Sequence, residues 1–263
     1  VRFPLFLHGA APVQAAYMGY PGPNGARFLH HTYVDALVAP VRRAAVSFTE
    51  RLALLPHSYY LSDYAASHRA LLEPPAPSAD ALPRSTPLLC SLNQLPKLDP
   101  ALFATWLNAL SRAAASPGPP ARLWLLRFPL SAIAHLRAEA AAHTSAVPAA
   151  AMIDLPTVAY EVHLRRAAHC DLFVDSRLCN AHTSATDALW AGTPLISLPG
   201  DPQPARVALS LLLAVGLPSL VVHSLRGYEE QVVHLTAAAG GGHRGGAHQG
   251  PRGFLLGSTG RAH

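Results

Sequence analysis

The chain has 263 residues, half of them hydrophobic and only 13% charged, which excludes a disordered protein and leaves room for one or two domains with a sizeable core. Its formal charge is +5, but Arg244, Arg252 and Arg261 lie in a tail that carries no acidic residue. The remainder is close to neutral and does not argue for a nucleic-acid partner. Cys90, Cys170 and Cys179 are an odd number without paired spacing, which fits a reducing compartment better than a disulfide framework.

In chain order, residues 1–72 form a first segment with short apolar runs and glycine turns. Glu73-Pro74-Pro75-Ala76-Pro77-Ser78 marks a linker over 73–85, because clustered prolines are excluded from helix and sheet interiors. Strands and helices then alternate over 86–236. Strands are predicted at 87–92, 122–127, 151–154, 171–175 and 194–198, with a short one at 220–222. Helices are predicted from Asp99-Pro100 to Ala113, over 131–142, 157–169, around 184–190, and over 204–215. Val207 to Leu225 is nearly uncharged, but Gly216 and Pro218 interrupt it, so a helix and a buried strand explain it better than a membrane span. Residues 237–263 form a Gly, His and Arg mixture expected to be disordered. Strand–helix alternation implies a parallel sheet covered on both faces, with ligands beyond the carboxyl ends of its strands.

Three polar clusters fall at that edge. The turn Cys179-Asn180-Ala181-His182-Thr183-Ser184 precedes a helix whose first turns also hold Asp187. Unpaired N–H groups and the helix dipole would attract a diphosphate there, with Asp187 on a sugar hydroxyl; the same residues would also serve as a plain helix cap. Lys97, in Asn93-Gln94-Leu95-Pro96-Lys97-Leu98-Asp99-Pro100, would neutralise a leaving diphosphate or lie solvated at the surface. His163 and Arg166 share one helical face. His169, Cys170, Cys179 and His182 match no common zinc spacing, and no metal is expected.

These clusters, with Pro12-Val13-Gln14, Gly19-Tyr20-Pro21-Gly22, Pro56-His57-Ser58-Tyr59-Tyr60, Asp63-Tyr64, Trp124-Leu125-Leu126-Arg127-Phe128-Pro129, Glu161, Arg165 and Trp190-Ala191-Gly192-Thr193-Pro194, occur in one order along the chain. In that order they resemble the catalytic region of protein O-GlcNAc transferases, particularly of the plant and algal type. The resemblance covers residues 12–194 and continues more weakly to about 235. It implies an α/β fold of GT-B type, two Rossmann-like lobes with the amino-terminal lobe incomplete: a partial lobe at 1–72 and a UDP-sugar-binding lobe at 86–236.

The activity implied is transfer of N-acetylglucosamine from UDP-GlcNAc to serine or threonine hydroxyls of proteins, with inversion and without a metal or other cofactor. Lys97 takes the catalytic role of stabilising departing UDP. Gln94 and Lys97 match donor contacts, His163 and Arg166 residues beside the uridine and phosphates, and His182, Thr183 and Ser184 the diphosphate turn. Asp187 matches the ribose carboxylate, and Met18 and Gly19 lie near the sugar. The family works in cytosol and nucleus, with protein acceptors and no membrane.

Departures bear on the reading. Tetratricopeptide repeats and an active-site histidine that the family carries upstream are not in this sequence, which reads as an internal fragment or incomplete gene product. Relatives have Arg-Pro-Ala-Pro where this chain has Gly9-Ala10-Ala11-Pro12, an Asp-Tyr pair becomes His30-His31, a lysine near the uridine appears as Tyr160, and Pro96 replaces an aromatic residue. The alternatives are a truncated, non-catalytic UDP-sugar-binding remnant and a relative of the protein O-fucosyltransferases using a guanine nucleotide.

Overall fold

The computed structural model describes residues 3–68, 86–115, 119–144 and 147–241; the expected linker at 73–85 and the tail beyond Gly241 lie outside the described residues. Two parallel sheets carry the chain. The first has three strands, β1 (Ala15–Ala16), β2 (His31–Val34) and β3 (Arg51–Leu54), in the order β1-β2-β3. With them go the short helices α1 (Phe3–Leu7), α2 (Val41–Ser47) and α3 (Tyr64–Ser67).

The second sheet has β4 (Leu88–Ser91), β5 (Arg122–Leu126), β6 (Met152–Leu155), β7 (Leu172–Val174) and β8 (Leu195–Ile196), ordered β6-β5-β4-β7-β8. Every pairing is parallel, with Cys90 opposite Trp124 on one side and Phe173 on the other. The order reverses direction at β4 and β7, and between such strands the loops part to leave a crevice at the carboxyl edge. Helices α4 (Pro100–Ala114), α5 (Leu130–His143), α6 (Tyr160–Ala167), α7 (Thr183–Trp190), α8 (Val207–Ala214) and α9 (Leu225–Gly241) complete this half.

The predicted helices and all but one of the predicted strands have counterparts, with shifted ends. The helix predicted at 157–169 is α6, shortened to eight residues, and the one predicted from 204 begins as a 3-10 turn at Gln203–Ala205 before α8. The strand at 220–222 is reduced to a single bridge between Ser197 and Val221. Helix α9 carries the chain to Gly241, four residues beyond the expected start of the tail at 237, because Tyr228, Val232 and Thr236 bury one helical face.

Local chemistry explains the framework. Strand β4 is Leu-Leu-Cys-Ser, buried at every position, as a central parallel strand with helices on both faces requires. Asp99 caps α4 by accepting the Leu102 N–H at 3.2 Å, and Pro100 follows at the first turn. From there Leu102, Phe103, Trp106, Leu107 and Leu110 face the core beside α9 and the sheet. Among the described residues no helix is long and apolar enough to cross a membrane.

The expectation that the cysteines are unpaired is corrected. Cys90 on β4 and Cys170, two residues before β7, are joined as a disulfide with Cα atoms 6.0 Å apart, leaving Cys179 free. Their proximity comes from the pairing of β4 with β7, a long-range contact across 80 positions that sequence spacing does not reveal.

The two halves are tied by buried polar groups. Asp35, after β2, accepts the N–H groups of Leu37 (2.8 Å) and Val38 (3.0 Å) on Oδ1, and Tyr59 N–H (2.9 Å) on Oδ2. Ser210 of α8 donates its hydroxyl to the same Oδ2 at 2.7 Å, and Arg206 donates to the Leu37 carbonyl at 2.7 Å. Asp35→Ala strips four donors of a buried acceptor and should lower unfolding free energy by roughly 3 kcal/mol in urea titrations.

Candidate functional site

The carboxyl edge of the larger sheet is organised by Asp175, which follows β7 and is wholly buried. Its Oδ1 accepts the Ala181 N–H at 2.6 Å and the Asn93 side-chain amide at 3.2 Å, while Oδ2 accepts the Ser197 hydroxyl at 2.9 Å. One carboxylate therefore fixes the loops after β4, β7 and β8 against one another. Asn180 extends the lock: its side chain donates to the Ser176 carbonyl at 2.7 Å and accepts from Ala208 N–H at 3.3 Å. Burial pushes the Asp175 carboxyl up to about 7, against the lowering effects of Ala181 N–H, Ser197 and the nearby Lys97 charge.

The turn held this way opens α7. His182 is the residue before its first turn, and its carbonyl accepts the Ala185 and Thr186 N–H groups at 3.0 and 3.1 Å. The preceding N–H groups of a helix have no intrahelical partner, so the turn offers donors and the positive end of a dipole. Lys97 reaches the same place. Its Nζ donates to the Asn180 carbonyl at 2.9 Å, from a 3-10 turn at Leu95–Lys97. Arg177 braces that loop by donating to both oxygens of Asp99, at 2.8 and 3.0 Å. Gln94 is exposed at the start of the turn.

The His182 ring faces Pro204, its Nε2 lying 3.1 Å from the carbonyl. Burial, reinforced by the Lys97 charge, lowers its pKa to about 4 despite that carbonyl, so the ring is neutral at pH 7. It braces the turn as an uncharged imidazole, and the positive charge beside the turn comes from Lys97. Thr183 is exposed, with its hydroxyl 2.7 Å from that of Tyr60, whose ring lies 5.7 Å from the His182 ring. Ser184 is partly buried in the first turn of α7.

One turn further along α7, Asp187 is 3% exposed and crowded by donors. Tyr64 donates to its Oδ1, Tyr160 lies 2.7 Å from the same oxygen, and His163 Nε2 stands 3.4 Å from Oδ2. Arg166, one turn after His163 on α6, donates to the Pro156 carbonyl at 2.9 Å. Met18 adopts a left-handed backbone with φ 55°, and the Gly19 N–H returns to the Tyr17 carbonyl at 2.7 Å. Tyr17 in turn donates to the Tyr59 carbonyl at 2.8 Å, next to Tyr60.

Lys97, His182, Thr183, Ser184, Asp187 and His163 thus converge at one edge, with Gln94 and Arg166 at its flanks and Met18 and Gly19 connected through Tyr17, Tyr59 and Tyr60. Sequence reasoning missed Asp175 and Asn180 as organisers and the roles of Tyr60 and Tyr64. An acidic residue ending an apolar strand was a visible signal for Asp175; the tyrosines stand in the motifs at 56–60 and 63–64, but their contacts lie more than 120 positions away and were not legible.

Comparison with known proteins follows the same lines. The sequence model described as Glycosyl transferase family 41 matches residues 1–76 and 74–240. The chain is 39% identical over 238 residues to an Arabidopsis thaliana protein named "Probable UDP-N-acetylglucosamine--peptide N-acetylglucosaminyltransferase SEC", covering 89% of this chain and 24% of that protein. A Caenorhabditis elegans UDP-N-acetylglucosamine–peptide N-acetylglucosaminyltransferase is 25% identical over 343 residues, covering 89% of this chain and 29% of its own length. The chain therefore spans about a quarter of the length of these relatives. A solved O-GlcNAc transferase mutant from Thermobaculum terrenum superposes with a TM-score of 0.72 at 22% identity, over 95% of this chain and 44% of that one. The architecture is α/β of GT-B type.

The two shifted groups at the turn oppose each other in pH dependence. His182 is protonated more readily unfolded, at its ordinary 6.5, than folded, at about 4, so its contribution to stability is lost as pH falls through that window. Asp175 holds its proton more tightly when folded, at about 7 against 3.8, so its contribution is lost as pH rises between those values. Relative to the wild type across pH 4 to 7, His182→Gln should therefore lose stability as pH rises and Asp175→Asn should gain it, each by roughly 2 to 3 kcal/mol in denaturant titrations.

Proposed function

The chain belongs to glycosyl transferase family 41, and from that premise we propose that it binds UDP-N-acetylglucosamine and transfers the sugar to serine or threonine hydroxyls of proteins. The observation that carries the proposal is the meeting of Lys97 with the amino end of α7: a lysine from the β4 loop is hydrogen-bonded into the very turn that presents unpaired helix N–H groups. A fixed cation and aligned donors in a half-buried position are what a departing nucleoside diphosphate requires.

In this reading the diphosphate lies against His182, Thr183 and Ser184. Gln94 contacts the donor, His163 and Arg166 flank the uridine, Asp187 takes the ribose, and Met18 and Gly19 border the sugar. The acceptor oxygen forms a bond to the anomeric carbon as the bond to the phosphate oxygen breaks, and UDP leaves with the electron pair. The carbon inverts, and the acceptor proton passes to a donor phosphate oxygen or to water. Lys97 and the helix N–H groups meet the growing negative charge, so no metal is needed. We place the activity in the cytosol and nucleus, the reading that accompanies this donor and acceptor class.

Calorimetric titration of the chain with UDP, with GDP as control and no added metal, tests the donor site. Saturable binding selective for UDP is expected. Lys97→Ala should weaken it by roughly 1 to 3 kcal/mol, the worth of a charge-assisted hydrogen bond, and reduce transfer by more than it reduces binding. Equal UDP affinity in the wild type, Lys97→Ala and His182→Ala would refute the proposal, and UDP binding without transfer would assign the chain a binding role alone.

A further inference from the structure

The carboxylate that the proposed function assigns to the ribose is already occupied. Tyr160 Oη lies 2.7 Å from Asp187 Oδ1 and 3.0 Å from Tyr64 Oη, and Tyr64 donates to the same Oδ1. Two protein hydroxyls, 3.0 Å apart, therefore already meet the carboxylate oxygen that a ribose hydroxyl would use. We propose that the Tyr160 hydroxyl stands in for a ribose hydroxyl on Asp187 when the site is empty, so that the donor nucleotide binds by exchange and Tyr160 sets its affinity.

The two phenols are unequally held. Tyr64 is 6% exposed, with its hydroxyl 3.2 Å from that of Thr186 and its ring 5.7 Å from Trp190. Tyr160 is 42% exposed and is the first residue of α6, which has no side-chain cap. Its ring stacks on His163, with centroids 6.4 Å apart and planes 19° apart, and meets the His68 ring at 5.2 Å. The rim phenol can therefore turn outward about its side-chain bonds while Tyr64 stays in place. Burial, reinforced by Asp187, raises the Tyr160 pKa to about 12, so both the bound and the displaced phenol carry their protons at neutral pH.

An ionised carboxylate offers only acceptor sites, and a buried one is held by the donors around it. Here Tyr64 and Tyr160 donate to Oδ1, and His163 Nε2 stands 3.4 Å from Oδ2. A nucleotide hydroxyl reaches Asp187 Oδ1 only by giving a hydrogen bond in place of the one Tyr160 gives, so the net gain on binding is smaller than the contact alone would provide. Removing the phenolic oxygen while keeping the ring removes the competitor.

The test rests on the donor-site reading above and is arranged to fail separately from it. UDP and 2′,3′-dideoxy-UDP are titrated into the full chain as wild type, Tyr160→Phe and Tyr64→Phe, with near-ultraviolet circular dichroism to verify the fold. Tyr160→Phe should bind UDP about tenfold more tightly, the equivalent of one hydrogen bond to a charged acceptor, and bind the dideoxy nucleotide as the wild type does. Tyr64→Phe, whose hydroxyl is not the one exchanged, should not tighten UDP binding as Tyr160→Phe does. Unchanged or weaker UDP binding by folded Tyr160→Phe, with measurable binding by the wild type, overturns the exchange while leaving the donor site standing. Absence of UDP binding in all three folded proteins overturns the donor site and the exchange together.

Discussion

A carboxylate sealed from water, Asp175, is the point on which the functional edge depends. It collects the Ala181 N–H, the Asn93 amide and the Ser197 hydroxyl, groups from three loops that would otherwise be free to move independently. Burying a carboxyl there is costly, and its raised pKa expresses that cost. The gain is geometric: the turn before α7 is held at Ala181 by Asp175 and at Asn180 by Ser176 and Ala208, and Asn180 presents its carbonyl to Lys97. A looser turn would present the same residues without the fixed spacing that transition-state stabilisation requires.

The amino-terminal half meets this edge through tyrosines. Tyr60 contacts Thr183, Tyr64 contacts Asp187 and Thr186, and Tyr17 holds the Tyr59 carbonyl, so residues 59–64 lie as a strap across α7. Aromatic bodies with polar ends suit this position, since Tyr60 and Tyr64 fill the interface while their hydroxyls meet groups in the opposite half. Asp35 and Arg206 secure the strap from behind, linking the loop after β2 to α8.

Much of this was legible in the sequence where the determinants are local. The apolar runs at 88–91 and 122–126 announce buried parallel strands, and Asp99-Pro100 announces a capped helix. The polar turn at 180–184 is read from its hydroxyls and its place between strand and helix, and Lys97 from its place after a strand. Pairings across the sheet were not legible. Cys90 meets Cys170 only because β4 and β7 are neighbours, and an odd cysteine count pointed the other way. The persistence of α9 into the alanine and glycine run follows from packing of Tyr228 and Val232 against α4 and the sheet, which overrides weak local preference near its end. Tyr160 could be seen as a departure from the resembling family, but its contact with Asp187 depends on how α6 packs beside α7.

The central claim is that a nucleoside diphosphate rests on the amino end of α7. Nuclear magnetic resonance of the uniformly labelled protein, recording backbone amide shifts as UDP is added, tests it at the atoms concerned. The account predicts that the largest saturable changes fall on the amides of Thr183 and Ser184, with smaller ones around Lys97 and Asp187. Saturable binding that leaves those two amides unmoved and perturbs another surface would contradict it.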